Sequence, residues 1–190
     1  MNTKTYYTRG KAYFKKGDTD KAIKLFSKAI ELDLNDAKAY AERGQAYLCM
    51  REFRKAIKDY SRVIAIDPKN IAAYELCGYA YSELDEYTKA LKYYSPIIEL
   101  VPHKSVGYHA CGRACNIIGE FYKAINYLSK AIEINPEDYH LFYERGLAYH
   151  NLAMLEEAEA DEVEGVRLLK TKWQKELAES KTEYPHSESK

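Results

Sequence analysis

The sequence predicts an all-α protein, a right-handed α-solenoid of about five stacked helix pairs with an extended C-terminal capping helix. Three observations carry this. Gly10, Gly44, Gly78, Gly112 and Gly146 stand 34 residues apart without an insertion. Each is preceded four positions earlier by an aromatic (Tyr6, Tyr40, Tyr74, Tyr108, Phe142) and followed twelve positions later by alanine (Ala22, Ala56, Ala90, Ala124, Ala158). A pattern that repeats in phase at this period is the mark of a repeat array, in which no single copy can bury its own apolar face.

Taken in order, the copies fall near 3–36, 37–70, 71–104, 105–138 and 139–169. First helices are expected near 3–16, 37–50, 71–84, 105–118 and 139–152. Second helices are expected near 19–32, 53–66, 87–100 and 121–134. The glycine and alanine remove side-chain volume where the two helices of a pair cross. Glycine costs about 1 kcal/mol in a helix relative to alanine, so five of them imply a packing need. Pro68, Pro102 and Pro136 close three copies, because proline lacks an N–H and disfavours helix before it. Pro96 falls inside a second helix and should kink it. After Leu155 no turn signal appears. Leu155, Ala158, Val163, Val166, Leu169, Trp173 and Leu177 keep three-and-four spacing, which predicts one long helix near 155–180 with Gly165 as its bend point. The whole of 1–180 is read as a single domain, and the polar residues 181–190 as a disordered tail.

The motif aromatic-x2-L-G-x2-Y, then A-x3-F, then P resembles the tetratricopeptide repeat family over residues 3 to about 169. The first copy reads Tyr6, Gly10, Tyr13, then Ala22 and Phe26. Later copies give Ala56 with Tyr60, Ala90 with Tyr94, and Ala124 with Leu128. Two departures stand out. Leu34 replaces the closing proline of the first copy, and Glu162 takes the place of the second aromatic in the fifth. Some members of the family hold acidic chaperone tails in a clamp of lysine, asparagine and arginine. The matching positions in the first three copies are Tyr7, Lys11, Glu42, Ala72 and Leu76, which do not supply that set.

The function classes narrow on composition. With 29 basic and 29 acidic residues the chain has no net charge, which argues against a dedicated nucleic-acid binder. Lys4, Lys11 and Lys38, with the far-end histidines His109, His140 and His150, would carry a minority RNA-binding reading. No run approaches a membrane span, and the first residues lack the apolar core of a signal peptide, so the cytoplasm is expected. No phosphate loop, HExxH or GxSxG is present, and no enzyme activity, cofactor or small-molecule substrate is expected. Cys111 and Cys115 lie four apart, with His109 on a neighbouring face and Cys77 as the 34-residue counterpart of Cys111. They are read as buried structural thiols rather than a metal or redox site.

What varies between copies is expected to recognise another protein. Stacked first helices would line a concave wall with Lys4, Tyr7, Lys11 and Phe14, then Lys38 and Gln45, then Glu75 and Tyr79. His109 and Arg113 follow, then His140 and Tyr143. The charge runs from a basic start through an acidic middle to a titratable far end. A fitting peptide or helix would be acidic at both ends with a basic or aromatic centre. A structural alternative is pairing of two copies through Trp173 and Leu177, which extend past the last repeat.

Overall fold

The structure, a computed structural model, describes residues 2–183, with side chains as far as 179. The described residues form ten helices. These are α1 (Thr3–Lys15), α2 (Thr19–Leu32), α3 (Ala37–Cys49), α4 (Phe53–Ile66), α5 (Ile71–Ser82), α6 (Tyr87–Leu100), α7 (Ser105–Ile117), α8 (Phe121–Ile134), α9 (Tyr139–Asn151) and α10 (Leu155–Glu183). All ten occur where the 34-residue pattern places them, and the chain has the tetratricopeptide solenoid fold. The helices fall into two compact units, residues 1–102 and 103–190.

Local chemistry starts the helices. Asn2, Asp18, Asp36, Asn70 and Asp138 each accept a hydrogen bond on the side chain from a backbone N–H in the first turn, satisfying a donor the helix leaves open. The first helices end one or two residues early because the chain turns through the left-handed region. Gly17, Arg51, Asp85, Gly119 and Ala153 all have φ between 57° and 84°, again 34 residues apart. Two backbone bonds close the turn, as where Arg51 N–H donates to Leu48 and Glu52 N–H to Tyr47. They hold the three non-glycine residues in a conformation that costs about 1–2 kcal/mol.

In the first unit, Phe26, Tyr60 and Tyr94 are buried beneath the glycines of their own repeats. A Cβ added to Gly10 would lie 2.6 Å from the Phe26 ring, and one on Gly78 would lie 2.2 Å from the Tyr94 ring. The same packing recurs in the second unit, where Leu128 covers Gly112 at 2.6 Å. The fifth copy departs from the expectation that every ruler glycine answers a packing need. A Cβ on Gly146 would meet only Asp161 Cβ at 3.5 Å and the Ala158 carbonyl at 3.6 Å. The cause is Glu162, which replaces the covering ring and is exposed.

Two buried ion pairs staple repeats together. Arg43 donates Nε and Nη2 to the two carboxylate oxygens of Asp59, both at 2.8 Å, and Nη1 to Ser27 Oγ of the preceding pair at 2.9 Å. Arg145 does the same with Asp161 (2.8 and 2.7 Å) and Ser129 (2.9 Å). The carboxylates are 2% and 4% exposed. Position 43 becomes Cys77 and Cys111 in the intervening repeats, and position 59 becomes Tyr93 and Tyr127, so the same junction is there built without charge.

α6 runs through Pro96 as one helix, and α10 likewise runs through Gly165. A Cβ at Gly165 would make ordinary contact with the Tyr139 carbonyl at 3.6 Å and Phe142 Cβ at 3.7 Å. The polar tail expected at 181–190 lies from residue 184 outside the described residues.

Candidate functional site

In the first unit the variable side chains of α1, α3 and α5 meet over a crevice of about 320 Å³. Its walls include Tyr7, Lys38, Ala41, Gln45, Ala72 and Leu76, with Tyr60 and Val63 at its base. The apolar floor is set by the repeat: Tyr60 and Val63 are 2% and 1% exposed and belong to the core under α5. Tyr60 donates its hydroxyl to Gln45 Oε1 at 3.4 Å, which turns one side of the Gln45 amide inward.

The basic start expected at this wall is partly neutralised within the fold. Glu42 accepts from Lys11 Nζ at 2.9 Å and from the Tyr7 hydroxyl at 3.2 Å. Lys11 also stands 5.7 Å over the Tyr7 ring. Hydrogen bonding and charge from Glu42 raise the Lys11 ammonium above its usual range. Burial, then Glu42, raises the Tyr7 phenol. Lys38 is the basic side chain that reaches the crevice itself. Lys4 is exposed and Phe14 half-buried on α1. Glu75 is half-buried on α5, and Tyr79, 41% exposed, sets its ring edge-on to Phe53 at 6.5 Å.

In the second unit, α9 and α10 enclose a crevice of about 540 Å³. His140, Tyr143, Leu147 and His150 come from α9, and Glu162, Val166 and Leu169 from α10. Tyr143 is 63% exposed. His109 is half-buried on α7; burial pushes its imidazole down, opposed by Glu144 and Asp138. Asn116 donates Nδ2 to the Glu144 carbonyl at 2.7 Å, tying α7 to α9. Arg113 is exposed. The α10 residues Glu162, Val166 and Leu169 were absent from the expected wall. The signal for them is Glu162 itself, a carboxylate where the repeat calls for a core ring.

Cys77, Cys111 and Cys115 are buried and Cys49 is exposed. Among the described residues no cluster of His, Cys, Asp and Glu could hold a metal ion. Burial pushes the thiols of Cys77 and Cys111 up to about 12 and that of Cys115 to about 11, from 9.0. Below pH 9 the thiols are neutral whether folded or not. As pH rises through 9 the unfolded thiols ionise while the buried ones do not, so their contribution is lost towards pH 11–12. Melting temperature measured under reductant should therefore be flat from pH 7 to 8 and fall above 9. A thiol reagent at pH 8 should modify Cys49 fast and the other three only at the rate of unfolding.

The chain belongs to the tetratricopeptide repeat family. A family profile described as "TPR repeat" matches residues 10–50 and 112–152, and one described as "Tetratricopeptide repeat" matches 37–70. Among solved structures it is similar to MamA at 25% identity, with 87% of this chain and 96% of that chain covered and a TM-score of 0.82. A MamA structure from Desulfovibrio magneticus RS-1 is 17% identical, with 89% and 96% covered and a TM-score of 0.81. YrrB, described as a TPR protein with an unusual peptide-binding site, is 20% identical, with 86% and 84% covered and a TM-score of 0.76. No curated protein matches the sequence. No described helix is long and apolar enough to cross a membrane.

Proposed function

We propose that the protein is a non-enzymatic interaction scaffold of the cytoplasm that binds a peptide or helical segment of another protein on the inner faces of its first helices. The observation that carries this is the crevice over Tyr60 and Val63, which has an apolar floor and polar rim groups, Lys38 and Gln45. Interface sites have this composition, an apolar centre with convergent polar groups around it. The described peptide-binding site of YrrB supports the reading from a similar fold. The floor would take an apolar or aromatic side chain. Lys38 would take a carboxylate, whereas Lys11 is already engaged by Glu42. No chaperone-tail clamp is assembled in this reading, because Glu42 sits among the matching positions and would repel a carboxylate.

Substitution of Lys38→Glu with Leu76→Arg closes the first-unit crevice, and Tyr79→Ala and Arg113→Glu test one outward position in each unit. Affinity capture followed by mass spectrometry should lose its specific partners with the Lys38/Leu76 pair while circular dichroism is unchanged. Capture equal to wild type in all three variants would remove these faces from consideration.

A second reading is favoured by one observation. Trp173 and Leu177 on α10 are 61% and 57% exposed, which is unusual for such large apolar side chains and would suit the pairing of two copies.

A further inference from the structure

We propose that the α9–α10 crevice receives α1 of a second copy of this chain, so that molecules associate head to tail by continuing the repeat. This does not rest on the peptide-binding reading, and it uses a different surface from Trp173 and Leu177.

The chain itself shows how a first helix sits on the pair before it. In the first unit α3 lies on α1 and α2, and α5 on α4; in the second, α9 lies on α7 and α8. The face covered in this way is constant. Ala39, Ala73 and Leu141 are at most 1% exposed, as are Ala46, Ala80 and Ala148. Their counterparts on α1 are Thr5, half-buried, and Ala12, exposed. The receiving surface on α10 is open in the same way. Ser61 and Ile64 are half-buried in the α4–α5 junction, whereas their counterparts Val163 and Val166 are 64% and 45% exposed, and Tyr143 and Leu147 on α9 are 63% and 40% exposed.

The internal junctions also give the register. In the α4–α5 junction, Cys77 Sγ lies 3.9 Å from the Ile57 carbonyl and 4.0 Å from Ser61 Oγ. Shifted by whole repeats, Cys77 becomes Arg9, and Ile57 and Ser61 become Glu159 and Val163. The crevice over Tyr60 is walled on its α5 side by Ala72 and Leu76. Their counterparts are Lys4 and Thr8, and that of Tyr60 is Glu162. A docked α1 thus sets Arg9 over Glu159 and Lys4 beside Glu162. Glu159 is informative, because the other four copies have Ile23, Ile57, Leu91 and Ile125 at that position.

Charge selects this occupant. Residues 1–17 carry Lys4, Arg9, Lys11, Lys15 and Lys16 and no acidic residue. Residues 155–166 carry Glu156, Glu157, Glu159, Asp161, Glu162 and Glu164 and no basic one. Discounting Arg9, which interacts within its own chain, Lys11, held by Glu42, Asp161, held by Arg145, and Glu164, held by Arg167, the two faces remain opposite in sign through Lys4, Lys15 and Lys16 against Glu156, Glu157, Glu159 and Glu162. Such a contact is heterologous: each copy offers one donor helix and one acceptor crevice.

Sedimentation velocity on the full chain at low ionic strength tests it. Wild type should associate with rising concentration and dissociate on adding salt, since exposed charges are screened. A head variant (Lys4→Glu, Arg9→Glu) and a tail variant (Glu159→Lys, Glu162→Lys) should each weaken association by about tenfold or more. Mixed together they should associate again, because each head then meets a tail of opposite charge. All these positions are exposed, and circular dichroism checks that helicity is kept. A wild type that stays monomeric overturns the proposal. So do reversal variants that associate like wild type, or a mixture that does not recover. Loss of association in Trp173→Ala with Leu177→Ala, with the charge variants unaffected, gives the contact to the C-terminal helix and equally overturns it.

Discussion

Asp59→Ala is expected to cost about 3 kcal/mol, because it leaves the half-buried Arg43 guanidinium without its carboxylate. Arg43 loses both bonds to the carboxylate and keeps its hydrogen bond to Ser27 and its place 5.7 Å over the Tyr40 ring. For a chain of this size that loss corresponds to a fall in melting temperature of roughly 10 °C. Asp161→Ala should behave alike in the last repeat and should also loosen α10 from α9, which opens the crevice those helices form. The ion pair is not irreplaceable. Replacing a buried pair by apolar groups of suitable shape is often neutral, whereas removing one partner is not. The third copy supplies the replacement, with Cys77 and Tyr93 at the two positions. The double variant Arg43→Cys, Asp59→Tyr should therefore recover most of what Asp59→Ala loses. Denaturant unfolding of the three variants decides it: a double variant no more stable than Asp59→Ala would show that the charges themselves are required.

The second expectation separates glycines that look identical in the sequence. Gly78→Ala places a methyl 2.2 Å from the Tyr94 ring, which is 4% exposed and has little room to move. Overpacking of this kind costs about 1–3 kcal/mol, and it outweighs the gain of about 1 kcal/mol from replacing a helical glycine. Gly146→Ala meets nothing closer than 3.5 Å, and Gly165→Ala nothing closer than 3.6 Å. Neither has φ in the left-handed region. Both should stabilise the protein by about 1 kcal/mol. Thermal melts of the three alanine variants should shift down for Gly78 and up for the other two. A loss of stability at Gly146 as large as at Gly78 would mean that the fifth copy packs like the others.

These two results bear on where function can be written. In the first four copies the residue that covers the glycine, whether Phe26, Tyr60, Tyr94 or Leu128, is at most 4% exposed and committed to the core. In the fifth, Glu162 releases that position to the surface and leaves a crevice with a carboxylate in it. The most irregular repeat thus leaves Tyr143, Leu147, Val163 and Val166 exposed around that crevice.

The sequence by itself determined the helices and their register. The small residues, the closing prolines and the capping Asp and Asn act within a few residues of chain, and their 34-residue recurrence is visible without coordinates. It set Tyr7, Lys38, Gln45, His140 and Tyr143 on one inner wall, whereas the first three line a crevice of the first unit and the last two a crevice between α9 and α10. It did not reveal which of these side chains were already spoken for. That Lys11 is taken by Glu42 and that Arg43 and Arg145 spend their charge on Asp59 and Asp161 were decided by tertiary structure. The physical reason is that each depends on a side chain in another helix. Periodicity says that two helices touch, but only the packed structure says which groups meet where they do.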